Sequence, residues 1–211
     1  TYMTDSGAPQ LSWIATMKNG SEGPAMASAD ADLEFLGFEL SGKSATQELQ
    51  LGEGVSLTGR NEIRLAKNGI LTLNGGKVST VRWIDVFEGA TLQGKGEIEG
   101  TVYNAGRVTV SSLGIRGDYR EQLGSILELQ LGHPMRVFGE ARLAGNLEVA
   151  VPTSLQLELG QMFAILEAES LTGNFGNRNG IVAASDGTLF QIHDHDNKVK
   201  LEVVLLPSTD S

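Results

Sequence analysis

Cysteine is absent from the 211 residues, which removes disulfide frameworks, thiolate nucleophiles and Cys-based zinc sites together. Proline is scarce, at 5 against 27 glycines, and no collagen-like triplet is present, so the glycines belong to repeated tight turns. Positive charge is also in short supply: Lys and Arg total 16, Asp and Glu 26, for a formal net charge of -10. An acidic chain without a basic stripe repels a phosphate backbone, which argues against nucleic acid as a partner. No stretch approaches the roughly 18 apolar residues of a membrane-spanning helix, and the apolar run at residues 203–206 is of strand length. Aromatic residues make up 6% of the chain, which limits any platform for stacking ligands to a few positions.

What is present is internal similarity. Residues 53–63, EGVSLTGRNEI, align without a gap on residues 88–98, EGATLQGKGEI, at an offset of 35. Glycines followed by alternating apolar positions recur at Gly54, Gly69, Gly89, Gly106, Gly124, Gly145 and Gly160, about 18 residues apart on average. That module is too short for a helical-pair repeat of about 34 residues or a propeller blade of about 40, and it suits one coil of a β-solenoid. The 35-residue match then spans two coils.

Parity supplies the strands. Even positions from Leu92 to Val110 include Leu92, Ile98, Val102, Asn104, Val108 and Val110, whereas odd positions include Gln93, Lys95, Glu97, Glu99, Tyr103 and Arg107. Side chains alternate faces along a strand, so the even positions form the inside. Val199, Leu201, Val203 and Leu205 alternate in the same way. Asn104, on the inward side beside Gly106, reads as a corner residue that bonds the next coil. The expected fold is all-β: a right-handed parallel β-helix over residues 51–175, an N-terminal capping segment over 1–50, and a C-terminal β-hairpin and tail over 176–211. Residues 18–31 read as a loop because they are small, polar and rich in turn formers. In the hairpin, residues 194–197, Asp-His-Asp-Asn, form the turn.

From Leu92 to Phe175 the chain resembles a known family. The glycine-alternating run from Leu92 to Val108, then Gly117-Asp118-Tyr119, then the start at Gly124, then the alternation from Val137 to Val149, and finally Gly160-Gln161-Met162-Phe163 and Leu171-x-Gly173-x-Phe175 are similar to the passenger region of bacterial autotransporters. The resemblance implies a β-helix that is secreted or displayed on the bacterial cell surface. It implies little about activity, because passengers include adhesins, self-associating proteins and enzymes.

Few residues offer catalytic chemistry. No G-x-S-x-G nucleophile turn occurs. Glu97 and Glu99, with Lys95 beside them, share an outward face about 6.5–7 Å apart and are the candidates for acid–base cleavage of a polysaccharide, although they read first as a solvated, charge-mixed strand face. His193 and His195 share a strand face and, with Asp196, offer ligand types that suit zinc or copper, although so local a cluster reads first as a polar hairpin tip. No cofactor is expected.

Glycan stacking is the remaining candidate chemistry. Parity slips at Trp83-Ile84, so one of the two points outward. An outward Trp83 beside Arg82 and Asp85, with Tyr103 as a second ring, suits a sugar, but packing in the core is the first reading of Trp83. Trp13 is a further aromatic. The functional expectation is a non-enzymatic extracellular or cell-surface segment serving presentation, adhesion or self-association, with a surface glycan or other copies of itself as partners. A polysaccharide-active enzyme and an end-to-end polymerising subunit are the alternatives.

Overall fold

The computed structural model describes residues 14–19 and 23–206. The first coil consists of β1 (Ile14–Asn19), β2 (Ala25–Ala29) and β3 (Leu33–Phe35), and the second of β4 (Gly37–Gly42), β5 (Gln47–Leu51) and β6 (Ser56–Gly59). Next come β7 (Glu62–Leu65), β8 (Gly69–Val86), β9 (Thr91–Asn104), β10 (Arg107–Arg116) and β11 (Tyr119–Glu121). The last coils contain β12 (Ile126–Gln130), β13 (Met135–Leu143), β14 (Asn146–Ala150) and β15 (Met162–Gly173). Short β16 (Ile181–Ala183) and the hairpin β17 (Leu189–His195) and β18 (Lys198–Leu205) close the chain. Among the described residues no helix is long and apolar enough to cross a membrane.

Pairing is parallel from β1 to β15 and stacks the coils into three walls. The first wall runs through β2, β5, the start of β8, the starts of β9 and β10, β12 and β14. The second contains β3, β6, the middle of β8 and of β9, the end of β10, the start of β13 and part of β15. The third contains β1, β4, β7, the ends of β8 and β9, β11, the end of β13 and the end of β15. This is the parallel β-helix expected from the alternating pattern.

Each wall contributes inward ladders of like residues. On the first, Leu49, Leu71, Leu92, Val108, Leu127 and Leu147 lie in register and are all buried. On the second the ladder is Leu57, Val78, Ile98, Ile115 and Val137, and on the third Phe38, Ile63, Ile84, Val102, Tyr119 and Ala141. Each buried Leu, Ile, Val or Phe contributes about 1.5–3 kcal/mol by leaving water, so the narrow core is cohesive along its whole length.

A second inward ladder of the third wall, Leu65, Val86, Asn104 and Glu121, turns polar at its last two positions. Asn104 is fully buried; its Nδ2 donates to the Tyr119 hydroxyl (3.0 Å) and to the Ile126 carbonyl (3.1 Å), while its Oδ1 accepts from the Gly106 N–H (3.1 Å). It is thus the corner residue its parity implies, bonded to the next coil. One coil further on, the buried Glu121 carboxylate accepts from the Tyr119 hydroxyl at 3.1 Å and from the backbone N–H groups of Ala144 and Gly145 at 3.0 and 2.9 Å. Burial pushes the Glu121 carboxyl above its ordinary range, and the three donors offset only part of that rise.

Several boundaries differ from the sequence-based expectation. Parallel coils already run from β1, so the body begins well before residue 51 and residues 25–50 are coil rather than cap. Part of the expected loop at 18–31 is strand β2, whose Ala25, Ala27 and Ala29 are too small to announce an inward face. The portion of the expected cap before residue 14, Trp13 included, lies outside the described residues. Coil length also varies more than an average of 18: Thr91 pairs with Arg107, a step of 16, and Phe38 with Ile63, a step of 25.

The 35-residue match does not join two equivalent coils. Glu53-Gly54 turns the chain from the first wall to the second, whereas Glu88-Gly89 turns it from the third to the first. The copies share a turn, with both glycines at φ 77, followed by a strand. The local turn chemistry therefore recurs at different corners.

At the far end the direction of pairing reverses. β18 pairs antiparallel with β15, and β17 pairs antiparallel with both β18 and β16. The hairpin turns at Asp196 and Asn197, both at positive φ (50 and 58), the two-residue geometry whose twist suits a hairpin. Val199, Leu201 and Val203 are buried, but Leu205 is 49% exposed, so the inward alternation stops one position short of the expected end. Asn177 covers part of the exposed edge of β14, accepting from the Leu147 N–H and donating to its carbonyl at 2.8 and 2.9 Å.

Candidate functional site

Ile84, not Trp83, enters the core, so Trp83 points outward against the expectation of core packing, and the ladder then gathers its neighbours on the outer third wall. Asp85 stacks between Arg64 and Tyr103, and Tyr103 between Asp85 and Arg120. Trp83 and Tyr103 meet edge to face at 6.4 Å. The Arg82 guanidinium lies 5.4 Å from the centre of the Trp83 ring, and that of Arg120 5.9 Å from the centre of Tyr103. All four sequence candidates, Trp83, Arg82, Asp85 and Tyr103, are thereby brought onto one surface.

Electrostatically this patch is mixed. Arg64 pairs with Glu62 at 3.0 Å, and Arg120 with Asp118 at 3.0 Å and Glu140 at 3.7 Å. Burial raises the Asp85 carboxyl above its ordinary range, opposed by a hydrogen bond from Trp83 and by the charge of Arg64. Two half-buried rings, each with a guanidinium over it, form an amphipathic surface suited to the apolar faces and hydroxyls of a sugar.

The outward carboxylates of the second wall are arranged differently. Glu97 is held by Arg116, and Glu99 by Lys77 at 2.7 Å and the Ser79 hydroxyl at 3.1 Å. The Lys77 hydrogen bond, aided by Ser79, lowers the Glu99 carboxyl below its ordinary range. A general acid needs the opposite shift, so this pair has the chemistry of ion-paired strand faces. Lys95 stands exposed at a corner, in register with Asn74 and Ser112 rather than with either glutamate.

The hairpin histidines do not share a centre. His193 Nε2 lies 2.8 Å from Glu202, whereas His195, at the exposed tip, pairs with Asp196 at 3.1 Å. Their cross-strand partners are Lys200 and Lys198. Among the described residues no group of three or more His, Asp or Glu converges as metal ligands would.

A second surface contains Glu97 but none of the other sequence-based candidates. A groove of about 450 Å³ crosses the second wall between Glu97, Gly114, Arg116, His133, Arg136 and Phe138. Phe138 is 53% exposed, and the Arg116 guanidinium lies 5.0 Å from its ring centre. One signal was legible: Met135 and Val137 both face inward, so Phe138 between Val137 and Gly139 is an aromatic at an outward position. The first wall contrasts with this groove, because its outer polar groups bond one another. Gln93 donates to Thr72, Thr72 to Glu48, and Arg107 to both Glu128 and Glu148. Compared with known proteins, the chain matches no family model, no curated protein and no solved structure.

Proposed function

We propose that the chain is a non-enzymatic segment of a secreted or surface-displayed bacterial protein, a rigid β-helical rod that presents an adhesive wall to a glycan. The observation that carries this reading is the outward alignment of Trp83 and Tyr103 with Arg82 and Arg120 on successive coils. Stacked strands fix such side chains with little freedom to lose on binding, which favours adhesion by a repetitive rigid surface. The similarity of residues 92–175 to autotransporter passengers supports the extracellular setting.

Cleavage is the weaker reading because Glu97 and Glu99 are each engaged by a cation and Glu99 is held ionised. End-to-end growth through the C-terminal end is opposed by the antiparallel β18, which cannot continue the parallel ladder. The test is a glycan array probed with the full chain, followed by titration of the best ligand into Trp83→Ala and Tyr103→Ala. Saturable binding weakened in both variants supports the proposal. Binding absent across the array, or insensitive to both substitutions, refutes it.

A further inference from the structure

The groove on the second wall contains two guanidinium groups, each paired through Nε with one carboxylate and each with its terminal nitrogens left over. Arg116 bonds Glu97 through Nε, and no hydrogen bond among the described residues engages its terminal nitrogens. Arg136 is 64% exposed and comes no nearer to a carboxylate than 3.8 Å, to Glu167, too far for a hydrogen bond. A guanidinium presents parallel donors that match a carboxylate in bidentate fashion. Beside them stands the exposed ring of Phe138, on the strand next to Arg116.

The floor supplies an independent observation. Gly114 lies within strand β10, facing outward, paired with Glu97 on one side and Arg136 on the other. A glycine inside a strand costs stability unless the backbone needs it. Here it does not: φ is not in the left-handed region, and an added Cβ would meet only Phe138 Cε2, at an ordinary 3.8 Å. Neighbouring glycines differ, since a Cβ on Gly96 would come within 2.3 Å of the Gly76 carbonyl oxygen and one on Gly117 within 2.5 Å of that of Gly100. What the missing side chain at 114 does is leave the groove open to its backbone.

We propose that this groove binds a carboxylated sugar ring, a uronate unit of an acidic polysaccharide, with its ring against Phe138 over Gly114 and its carboxylate between Arg116 and Arg136. The chain is strongly acidic overall and Glu97 lines the groove, so the guanidinium donors that Arg116 and Arg136 leave unbonded are what select such a ligand against the background repulsion. The site goes beyond the third-wall patch and does not depend on it.

Calorimetric titration of the full chain with oligogalacturonate tests the assignment, with a neutral oligoglucan of equal length and dextran sulfate as comparisons. Saturable binding of the uronate, with none of the glucan and weaker binding of the sulfate, is expected. Arg136→Ala and Phe138→Ala, both at exposed positions, should each weaken it about tenfold, the loss of one charge-assisted contact or one stacking face. Gly114→Val, which fills the floor, should do the same, whereas Arg178→Ala, a charge lost outside the residues that line the groove, leaves affinity unchanged. No heat with oligogalacturonate, equal affinity for glucan or for sulfate, or unchanged affinity in Arg136→Ala and Phe138→Ala overturns the proposal. Loss of uronate binding in Trp83→Ala without loss in Arg136→Ala would assign the acidic sugar to the third wall, overturning the groove while leaving the adhesive rod standing.

Discussion

Replacing Glu121 tests whether the buried polar ladder holds successive coils together. The carboxylate accepts the N–H groups of Ala144 and Gly145 at the corner of the next coil and the hydroxyl of Tyr119 within its own. In Glu121→Leu the two backbone donors lose their acceptor in a site closed to water, at about 1–3 kcal/mol each, while the cost of burying a charged group disappears. The expected net loss is about 2–4 kcal/mol. Glu121→Gln keeps an oxygen for both N–H groups and should stay within about 1 kcal/mol of the wild type at neutral pH.

The pH dependence has a definite sign. Burial raises the Glu121 pKa above its ordinary 4.5, so the folded state prefers the protonated acid. Its unfavourable contribution is absent below the ordinary value and grows as pH rises from there through the raised value. Above that it is constant, at about 1.4 kcal/mol for every tenfold weakening of the acid on folding. Urea unfolding followed by far-ultraviolet circular dichroism, from neutral pH down toward 4.5, should show the wild type gaining on Glu121→Gln as pH falls. A Leu variant less than about 1 kcal/mol below wild type, or a difference from Gln that does not change with pH, would refute the reasoning.

Two further substitutions probe other elements. Gly94 has φ 106 and would place a Cβ 2.1 Å from the Leu73 carbonyl oxygen, so Gly94→Ala should destabilise by about 2–5 kcal/mol, whereas Gly114→Ala should be neutral or stabilising by up to about 1 kcal/mol; equal effects in thermal melts would contradict the packing. Phe190, fully buried between β16 and β18, should cost about 3–5 kcal/mol as Ala and, by loosening the hairpin, uncover the β15 edge. Concentration-dependent association of Phe190→Ala in sedimentation checks the second effect; a destabilised but monomeric variant would show that the hairpin does not guard the edge.

The architecture was legible where large apolar residues alternate. Leu92 to Val110 shows the inward face directly, because the pattern continues through Ile98, Val102 and Val108. It was illegible where the inward residues are alanines, as in β2, and where glycine spacing mixed corners of different walls. Trp83 illustrates the limit for the site. The sequence shows that either Trp83 or Ile84 must face out, but only the register with Glu62 and Thr101 places the ring beside Tyr103. The Phe138 groove depends on Gly114 and Arg116 one coil away, a proximity that parity within a single strand cannot express.

The central functional claim is adhesion without turnover. Prolonged incubation of the full chain with the glycans it binds, followed by mass analysis and by assays for new reducing and unsaturated ends, addresses it most directly. The account predicts saturable binding with every oligosaccharide recovered intact; accumulation of shortened chains carrying new ends, absent from a buffer control, would contradict it.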